Sequence, residues 1–358
     1  MPSQDRYTEI LSKYWGYTEF RGIQREIIGS IGEGRDTLGL MPTGGAKSIT
    51  FQVPALAMRG VCVVVTPLVA LMKDQVANLR KRHIRAAALH AGLGHDEMLT
   101  VLDNCVFGFY KFLYVSPERL SSELFIAKLR HMEVSFFTVD EAHCISQWGH
   151  DFRPSYLRIA DLRKVKPACP VLALTATATP EVAADIQRVL HFRRENEFRM
   201  SFHRPNLAYQ VLRADYSLLT LRRVLESSAG SCIIYRRSRQ QCEDLSASLN
   251  DWGISATYFH AGLSHPEKDK RQARWLGDEV RVMVATSAFG MGIDKADVRL
   301  VVHLDIPDSI EEYFQEAGRA GRDGKPARSV IILDGRELAY SDRRPGQRYP
   351  DEDYIRNA

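Results

Sequence analysis

Residues 36–50 read DTLGLMPTGGAKSIT, and the reading of this stretch decides the fold. A short apolar run, DTLGL, gives way to a glycine-rich turn that ends in Lys47-Ser48, and ITFQVPALAM (49–58) continues with helical character. Backbone N–H groups at such a strand-to-helix turn point towards one spot, and the helix dipole adds positive charge there, so the turn can cradle phosphates. Lys47 has the chemistry to neutralise β- and γ-phosphates, and the Ser48 hydroxyl to ligate magnesium. Met41, Pro42, Thr43, Gly44, Gly45 and Ala46 complete the candidate phosphate loop. Two positions depart from the strict glycine-lysine pattern: Met41 stands at its first glycine, and Ala46 at the glycine before the lysine. Taken alone, the stretch also reads as a plain glycine turn with a solvated lysine.

A second stretch narrows the choice. VSFFTVDEAH (134–143) is an apolar strand that ends in two carboxylates. Asp140 is placed to reach a magnesium ion from a neighbouring strand end, and Glu141 to orient and deprotonate an attacking water. By itself an acidic pair after a strand is also a helix N-cap; together with the glycine turn it reads as a hydrolytic site. Phosphoryl transfer further needs cations near the transferred group. YFQEAGRAGRDG (313–324) supplies Arg319 and Arg322, three residues apart, with a solvated basic helix end as the alternative. Their distance along the chain from Lys47 favours a second lobe that supplies an arginine across a cleft.

The same strand-turn-helix alternation runs through the chain. VCVVV (61–65), FLYV (112–115), VSFFTV (134–139) and VLAL (171–174) follow DTLGL, and CIIY (232–235), VMVA (282–285), LVVHL (300–304) and SVIIL (329–333) form a second series. Runs this apolar suit parallel strands covered on both faces. Between them, LVALMKDQVANL puts Leu68, Leu71, Met72, Val76 and Leu79 on one helical face. The expectation is α/β architecture with right-handed crossovers in two lobes. The charged, turn-prone stretch RRENEFRMSFHRPNLAYQ (193–210) separates the two series, with Pro205-Asn206 as its punctuation. The expected division is a first lobe over 1–197, a linker over 198–212, a second lobe over 213–345 and a polar tail over 346–358 that opens a further C-terminal region.

At 358 residues the chain is long enough for two cored domains. Its 48 basic and 44 acidic residues leave a charge of +4, compatible with a nucleic-acid partner. The polar N-terminus lacks a signal-peptide core and no apolar run is long enough to span a bilayer, so the expectation is a cytoplasmic protein with no membrane partner. Six scattered cysteines form no C-x-x-C pair, and reduced thiols are expected rather than disulfides or zinc.

Taken together, these motifs resemble the catalytic core of RecQ-type DNA helicases in superfamily two, over about residues 7–335. FRGIQREII (20–28) resembles the family's adenine-reading motif, and TPLVALMKDQV (66–76) and YVSPERL (114–120) resemble its DNA-contact motifs. DEAHCISQWGHDFRP (140–154) resembles the carboxylate box joined to an aromatic-rich loop, and ALTATAT (173–179) the coupling motif. IIYRRSRQQCEDL, FHAGLS, VMVATSAFGMGIDKADVRLVVH and QEAGRAGRDG resemble second-lobe motifs in the family's order. The resemblance implies two RecA-like parallel-sheet lobes of a P-loop NTPase helicase core, with ATP between them and single-stranded DNA across their top. It implies ATP and Mg2+ as cofactors, DNA as partner, translocation from 3′ to 5′, and a role in DNA repair and recombination. By motif position it makes Arg21 and Gln24 base contacts, Gln315 a contact to the γ-phosphate or the water, and Asp294 part of the nucleotide or coupling network. It also accounts for Met41, since this superfamily often lacks the first loop glycine. Ala46 remains a departure, and a nucleotide-binding variant impaired in hydrolysis is one alternative; an RNA helicase of the same fold is another. Family members commonly continue into a four-cysteine zinc module and a winged helix. No cysteine follows Cys242 here, so no zinc is expected in this chain. A monomer is expected.

Beside the carboxylates, CISQWGHDFRPSY (144–156) spaces Trp148, Phe152 and Tyr156 every fourth residue, with His150 and Arg153 between them. Aromatic core packing explains such spacing on a helix, and Tyr156 fits it, but Gly149 and Pro154 disfavour a continuous helix. A loop that stacks bases and abuts the carboxylates would transmit DNA occupancy to hydrolysis, and His143 is grouped with it. Thr66, Pro67, Thr175 and Thr177 sit at strand ends, where small hydroxyls either bind DNA phosphates or cap helices. Gly290 and Gly292 fit close backbone approach to a ligand. The basic run LRKRHIR (79–85) reads as a solvated face and receives no site.

Overall fold

Strands that are apolar at every position offer no face to water, and in the computed structural model these runs become strands covered on both sides. The structure describes residues 4–42, 47–147, 151–201, 203–289 and 295–340. Contacts divide the chain into two units, Met1–Phe202 and His203–Ala358.

The first unit is built on β1 (Thr37–Leu40), β2 (Val61–Val65), β3 (Ala86–Leu89), β4 (Phe112–Val115), β5 (Val134–Val139), β6 (Val171–Thr175) and β7 (Glu197–Arg199). They form one sheet in the order β3-β4-β2-β5-β6-β1-β7, and every pair runs parallel. The helices are α1 (Gln4–Trp15), α2 (Gln24–Gly32), α3 (Lys47–Ala57), α4 (Val69–Lys81), α5 (His95–Val106), α6 (Glu123–His131), α7 (Ile159–Val165) and α8 (Pro180–Val189). Alternate residues of β2 feed two separate cores: Val61, Val63 and Val65 pack into one, Cys62 and Val64 into the other. Each buried valine contributes about 1.5–3 kcal/mol, so one charge placed at Val63 or Val64 would break a face of the sheet.

The second unit repeats this plan. Its strands are β8 (Leu207–Arg213), β9 (Ser231–Tyr235), β10 (Ala256–Phe259), β11 (Val282–Ala285), β12 (Val298–His303) and β13 (Ala327–Leu333), with α9 (Ser217–Glu226), α10 (Arg239–Asp251), α11 (His265–Leu276) and α12 (Ile310–Ala317). The strand order β10-β11-β9-β12-β13-β8 is that of β3-β4-β2-β5-β6-β1, with the first unit's β7 as the one addition. Even a local motif recurs: HAGL follows β3 at 90–93 and β10 at 260–263.

Two expectations need correction. The stretch 198–212, expected as a linker, is largely strand: β7 pairs with β1, and β8 pairs with β13 over seven residues. Charged residues hid β7, and on β8 exposed Tyr209 and Gln210 interrupt the apolar run. The edge strand β3, AAAL, was also absent from the expected series, because alanine carries no strand signature.

At the amino end of the first sheet, Asp36 is buried and accepts backbone N–H groups from Val171 and Arg193, both at 3.0 Å, while pairing with the guanidinium of Arg163. This carboxylate ties β1 to β6 and to the approach to β7.

Candidate active site

In an all-parallel sheet the strand carboxyl ends share one edge, and the turns that follow them meet there. β6 lies between β1 and β5. The Met41 N–H donates to the Thr175 carbonyl (3.0 Å), and the Asp140 N–H to the Val65 carbonyl (2.9 Å), so both chain segments leave the sheet in register. Lys47 opens α3 and Ser48 follows it, half-buried. The Lys47 ammonium reaches the Glu141 carboxylate at 3.4 Å, bringing together residues 94 positions apart. Thr43 to Ala46 lie outside the described residues.

Glu141 has φ 49 and ψ 47, the left-handed conformation that costs a side-chain-bearing residue about 1–2 kcal/mol. Neighbours hold it there. The Tyr156 hydroxyl donates to the Asp140 carbonyl (3.0 Å), and the Cys144 N–H to the Glu141 carbonyl (3.0 Å). Such over-determined strain aims a side chain at a fixed point.

Asp140 is pushed up to about 6, first by its removal from water and then by the neighbouring Glu141 carboxylate. Lys47 and the Glu141 N–H, 3.0 Å from its Oδ1, partly offset this. Two adjacent carboxylates, one of them raised by burial and by the other's charge, are short of positive charge. A hard divalent cation with oxygen ligands from Asp140 and Ser48 fits that deficit.

The threonines depart from the expectation of contact with DNA. Thr66, Thr175, Thr177 and His143 are all buried, so none presents its side chain to a DNA phosphate; Pro67 is half-buried. The side chains of His143 and Thr175 are hydrogen-bonded internally instead. His143 Nδ1 meets the Thr175 hydroxyl at 2.8 Å and lies 3.5 Å from Glu141 Oε2. The Thr175 hydroxyl donates to the Thr177 carbonyl (3.1 Å). His143 thus links β6 to the strained glutamate, a geometry suited to coupling rather than to DNA contact.

Trp148 and His150 lie outside the described residues. The following loop segment is non-helical as far as Pro154, as Gly149 and Pro154 imply. Phe152 is half-buried, and Tyr156 is core, with none of its surface exposed. Arg153 does not stand free: its Nε (3.1 Å) and a terminal nitrogen (2.8 Å) grip Asp151, whose carboxyl is thereby held below the usual range despite its desolvation.

Gln24 is buried and its side-chain oxygen accepts the Arg21 N–H at 2.9 Å, while Arg21 itself is exposed. The Arg21 guanidinium lies 5.4 Å from the ring of Tyr17, which is 46% exposed. Tyr17 belongs to none of the motifs; an aromatic four residues before the arginine is its one mark in the sequence, and a planar base could stack there.

In the second unit, Gln315 is half-buried near the end of α12, and Arg319 and Arg322 lie in the turn beyond it. His303 and Glu316, both buried, meet at 2.8 Å and fasten α12 to β12. Arg319 is 6% exposed and lies against the Tyr235 phenol, which burial pushes up although Arg319 pulls it back. The turn is locked from 203–206. Arg204 donates to the Gly318 carbonyl (2.9 Å) and to the Gly321 carbonyl, while Asn206 donates to the Gly321 (2.8 Å) and Lys325 (2.9 Å) carbonyls. Residues taken as linker punctuation thus shape the arginine turn. Asp294, Gly290 and Gly292 lie outside the described residues.

A DEAD/DEAH box helicase family model matches residues 21–186, and a helicase conserved C-terminal domain model matches residues 216–324. The ATP-dependent DNA helicase RecQ of Pasteurella multocida is 42% identical over 341 residues, 95% of this chain and 54% of that protein. RecQ of Bacillus subtilis is 42% identical over 93% of this chain and 57% of its own length. The probable ATP-dependent DNA helicase RecS of Bacillus subtilis is 40% identical over 90% of this chain and 66% of its own. The chain therefore spans about half the length of the RecQ relatives it matches. Among solved structures, the DEAD-box helicase Mss116 bound to single-stranded RNA has a TM-score of 0.74 at 18% identity, covering 97% of this chain and 78% of that one. The Mycobacterium smegmatis helicase Lhr bound to single-stranded DNA and AMP-PNP has a TM-score of 0.72 at 22% identity, covering 90% and 47%. At these identities the two structures share the two-lobe, RecA-like fold.

Proposed function

This chain belongs to the RecQ-type helicases of superfamily two, and from that premise we propose that it hydrolyses ATP to move along single-stranded DNA and part the duplex ahead of it. The observation that carries the reading is the approach of Lys47 to Glu141 at 3.4 Å, beside Asp140. A lysine paired with the glutamate is a lysine waiting for a stronger anion. On ATP binding, Lys47 turns to the β- and γ-phosphates and leaves the Glu141 carboxylate to orient a water and accept its proton. Ser48 and Asp140 would hold magnesium, which supplies charge neutralisation at the phosphates when bound. Arg319 and Arg322 stabilise the charge that develops in the transition state. Tyr17 and Arg21 form a platform on which the base stacks, with Gln24 reading its edge.

The link to DNA runs from the loop 146–153 through Asp140–Glu141 and His143 to Thr175. The resemblance supports DNA as the partner, 3′ to 5′ movement, action as a monomer, and service in DNA repair and recombination. A second reading rests on one residue: with Ala46 in the phosphate loop, the chain binds nucleotide but turns it over poorly.

The test is the rate of ATP hydrolysis with magnesium in the absence of nucleic acid, with single-stranded DNA and with RNA. Strong stimulation by DNA is expected. Stimulation by RNA alone would make the chain an RNA translocase, and tight nucleotide binding with no turnover would favour the second reading.

A further inference from the structure

The basic run 79–85 lies at the amino ends of the strands, the opposite edge of the first sheet from Lys47 and Glu141. The turn from α4 into β3 carries Lys81, Arg82, His83 and Arg85; the turn from α5 into β4 carries Phe107, Phe109 and Tyr110. β3 and β4 are neighbours, and the Lys111 N–H donates to the Arg85 carbonyl at 2.9 Å, so the two turns form one surface. The Arg85 guanidinium sits 4.8 Å from the centroid of Phe109, whose ring meets Tyr110 edge-on at 5.1 Å. Phe107, just past α5, is 83% exposed, and Phe109 is 47% exposed.

Neither turn contains an acidic residue over 78–86 or 104–112. No ion pair among the described residues involves Lys81, Arg82, His83 or Arg85. A soluble protein gains nothing in stability from an open phenylalanine within a cluster of unneutralised cations. A ligand that alternates negative charge with flat apolar rings satisfies both features, and a nucleic-acid strand does so at every nucleotide. An acidic peptide supplies the charge without a ring at each step.

We infer that this edge is an accessory contact for single-stranded nucleic acid, in which Phe107 stacks a base and Lys81, Arg82 and Arg85 bind the flanking phosphates. The contact is sequence-independent, because no group there is placed to read a base edge. It also stands apart from the proposed hydrolytic activity, since none of these residues lies at the carboxyl edge of the sheet.

The test uses the whole chain with thirty-nucleotide oligothymidine and, in parallel, oligouridine, both carrying photoreactive thio-bases. After irradiation, adducts are mapped by mass spectrometry, and affinity is measured by anisotropy across a range of salt. The expected adduct lies on the peptide that contains Phe107 and is lost in Phe107→Ser. In the Arg82→Ala, Arg85→Ala double variant the slope of log affinity against log salt falls by about 1.4, roughly 0.7 for each phosphate contact on a single strand. ATP hydrolysis without nucleic acid stays at the parental rate in both variants, which checks the fold, and the two oligonucleotides report which polymer uses the surface. Absence of an adduct in this peptide together with a parental salt slope overturns the inference. So does a variant that keeps nucleic-acid affinity but loses binding of an alternating glutamate–tryptophan peptide, which would make the edge a protein-docking surface.

Discussion

The Asn206 side chain donates to the Gly321 carbonyl at 2.8 Å, joining the first residues of the second unit to the turn that carries Arg319 and Arg322. Gly321 has φ +60, and a Cβ there would come within 2.6 Å of Asn206 Nδ2 and 2.9 Å of both Ala327 Cβ and the Lys325 carbonyl. Gly321→Ala must therefore push the turn off its lock. A displacement of about 1 Å at a catalytic group costs on the order of a hundredfold, so we expect turnover to fall by that order while ATP affinity changes little. Arg322→Ala bounds the effect, at about three to five orders of magnitude at most. A Gly321→Ala enzyme with parental turnover would detach this turn from the reaction.

Glu141→Gln keeps the size of the side chain and removes its basicity. The rate of ATP hydrolysis should fall by about 10²–10⁴, with nucleotide affinity preserved or raised. Equilibrium binding of a fluorescent ATP analogue beside single-turnover hydrolysis separates the two effects. Equal loss of both would make the glutamate a structural residue.

Arg153 is held by Asp151 through two hydrogen bonds, 3.1 and 2.8 Å long. If the loop passes DNA occupancy to Glu141, then Arg153→Ala and Trp148→Ala should leave basal hydrolysis near the parental rate and blunt its stimulation by DNA. Asp151→Asn should act in the same direction by loosening Arg153. DNA titrations of the hydrolysis rate check all three, and undiminished stimulation would remove the coupling role.

Asp36→Ala leaves the buried Arg163 guanidinium without its carboxylate and leaves the Val171 and Arg193 N–H groups without an acceptor. Breaking a buried pair in this way costs about 3–5 kcal/mol. Urea unfolding followed by circular dichroism should show the first unit melting well before the second.

Replacing glycine by alanine in a phosphate loop adds one methyl and keeps the backbone donor. If position 46 lies at φ > 0, Ala46 costs on the order of 1 kcal/mol, and Ala46→Gly should raise affinity or turnover by up to about tenfold. Equal constants for the two proteins would make the alanine a tolerated variant.

The sequence alone determined the α/β architecture and showed a glycine-rich stretch before Lys47, a carboxylate pair after β5 and two arginines near 320, because each depends on a few adjacent residues. A strand buried on both faces must be apolar throughout. What the tertiary structure decided is relational. Only folding brings Lys47 to Glu141 across 94 residues, turns Glu141 into its left-handed conformation, and buries the threonines expected at DNA. Edge strands such as β7 and β8 escaped the reading because one open side lets them carry polar or charged residues, Glu197 and Arg199 in β7 and Gln210 in β8, like those of a loop. Asn206 escaped it because its partners, the Gly321 and Lys325 carbonyls, belong to the backbone. A backbone carbonyl is the same in every residue, so its position is decided by the fold and leaves no mark on the sequence.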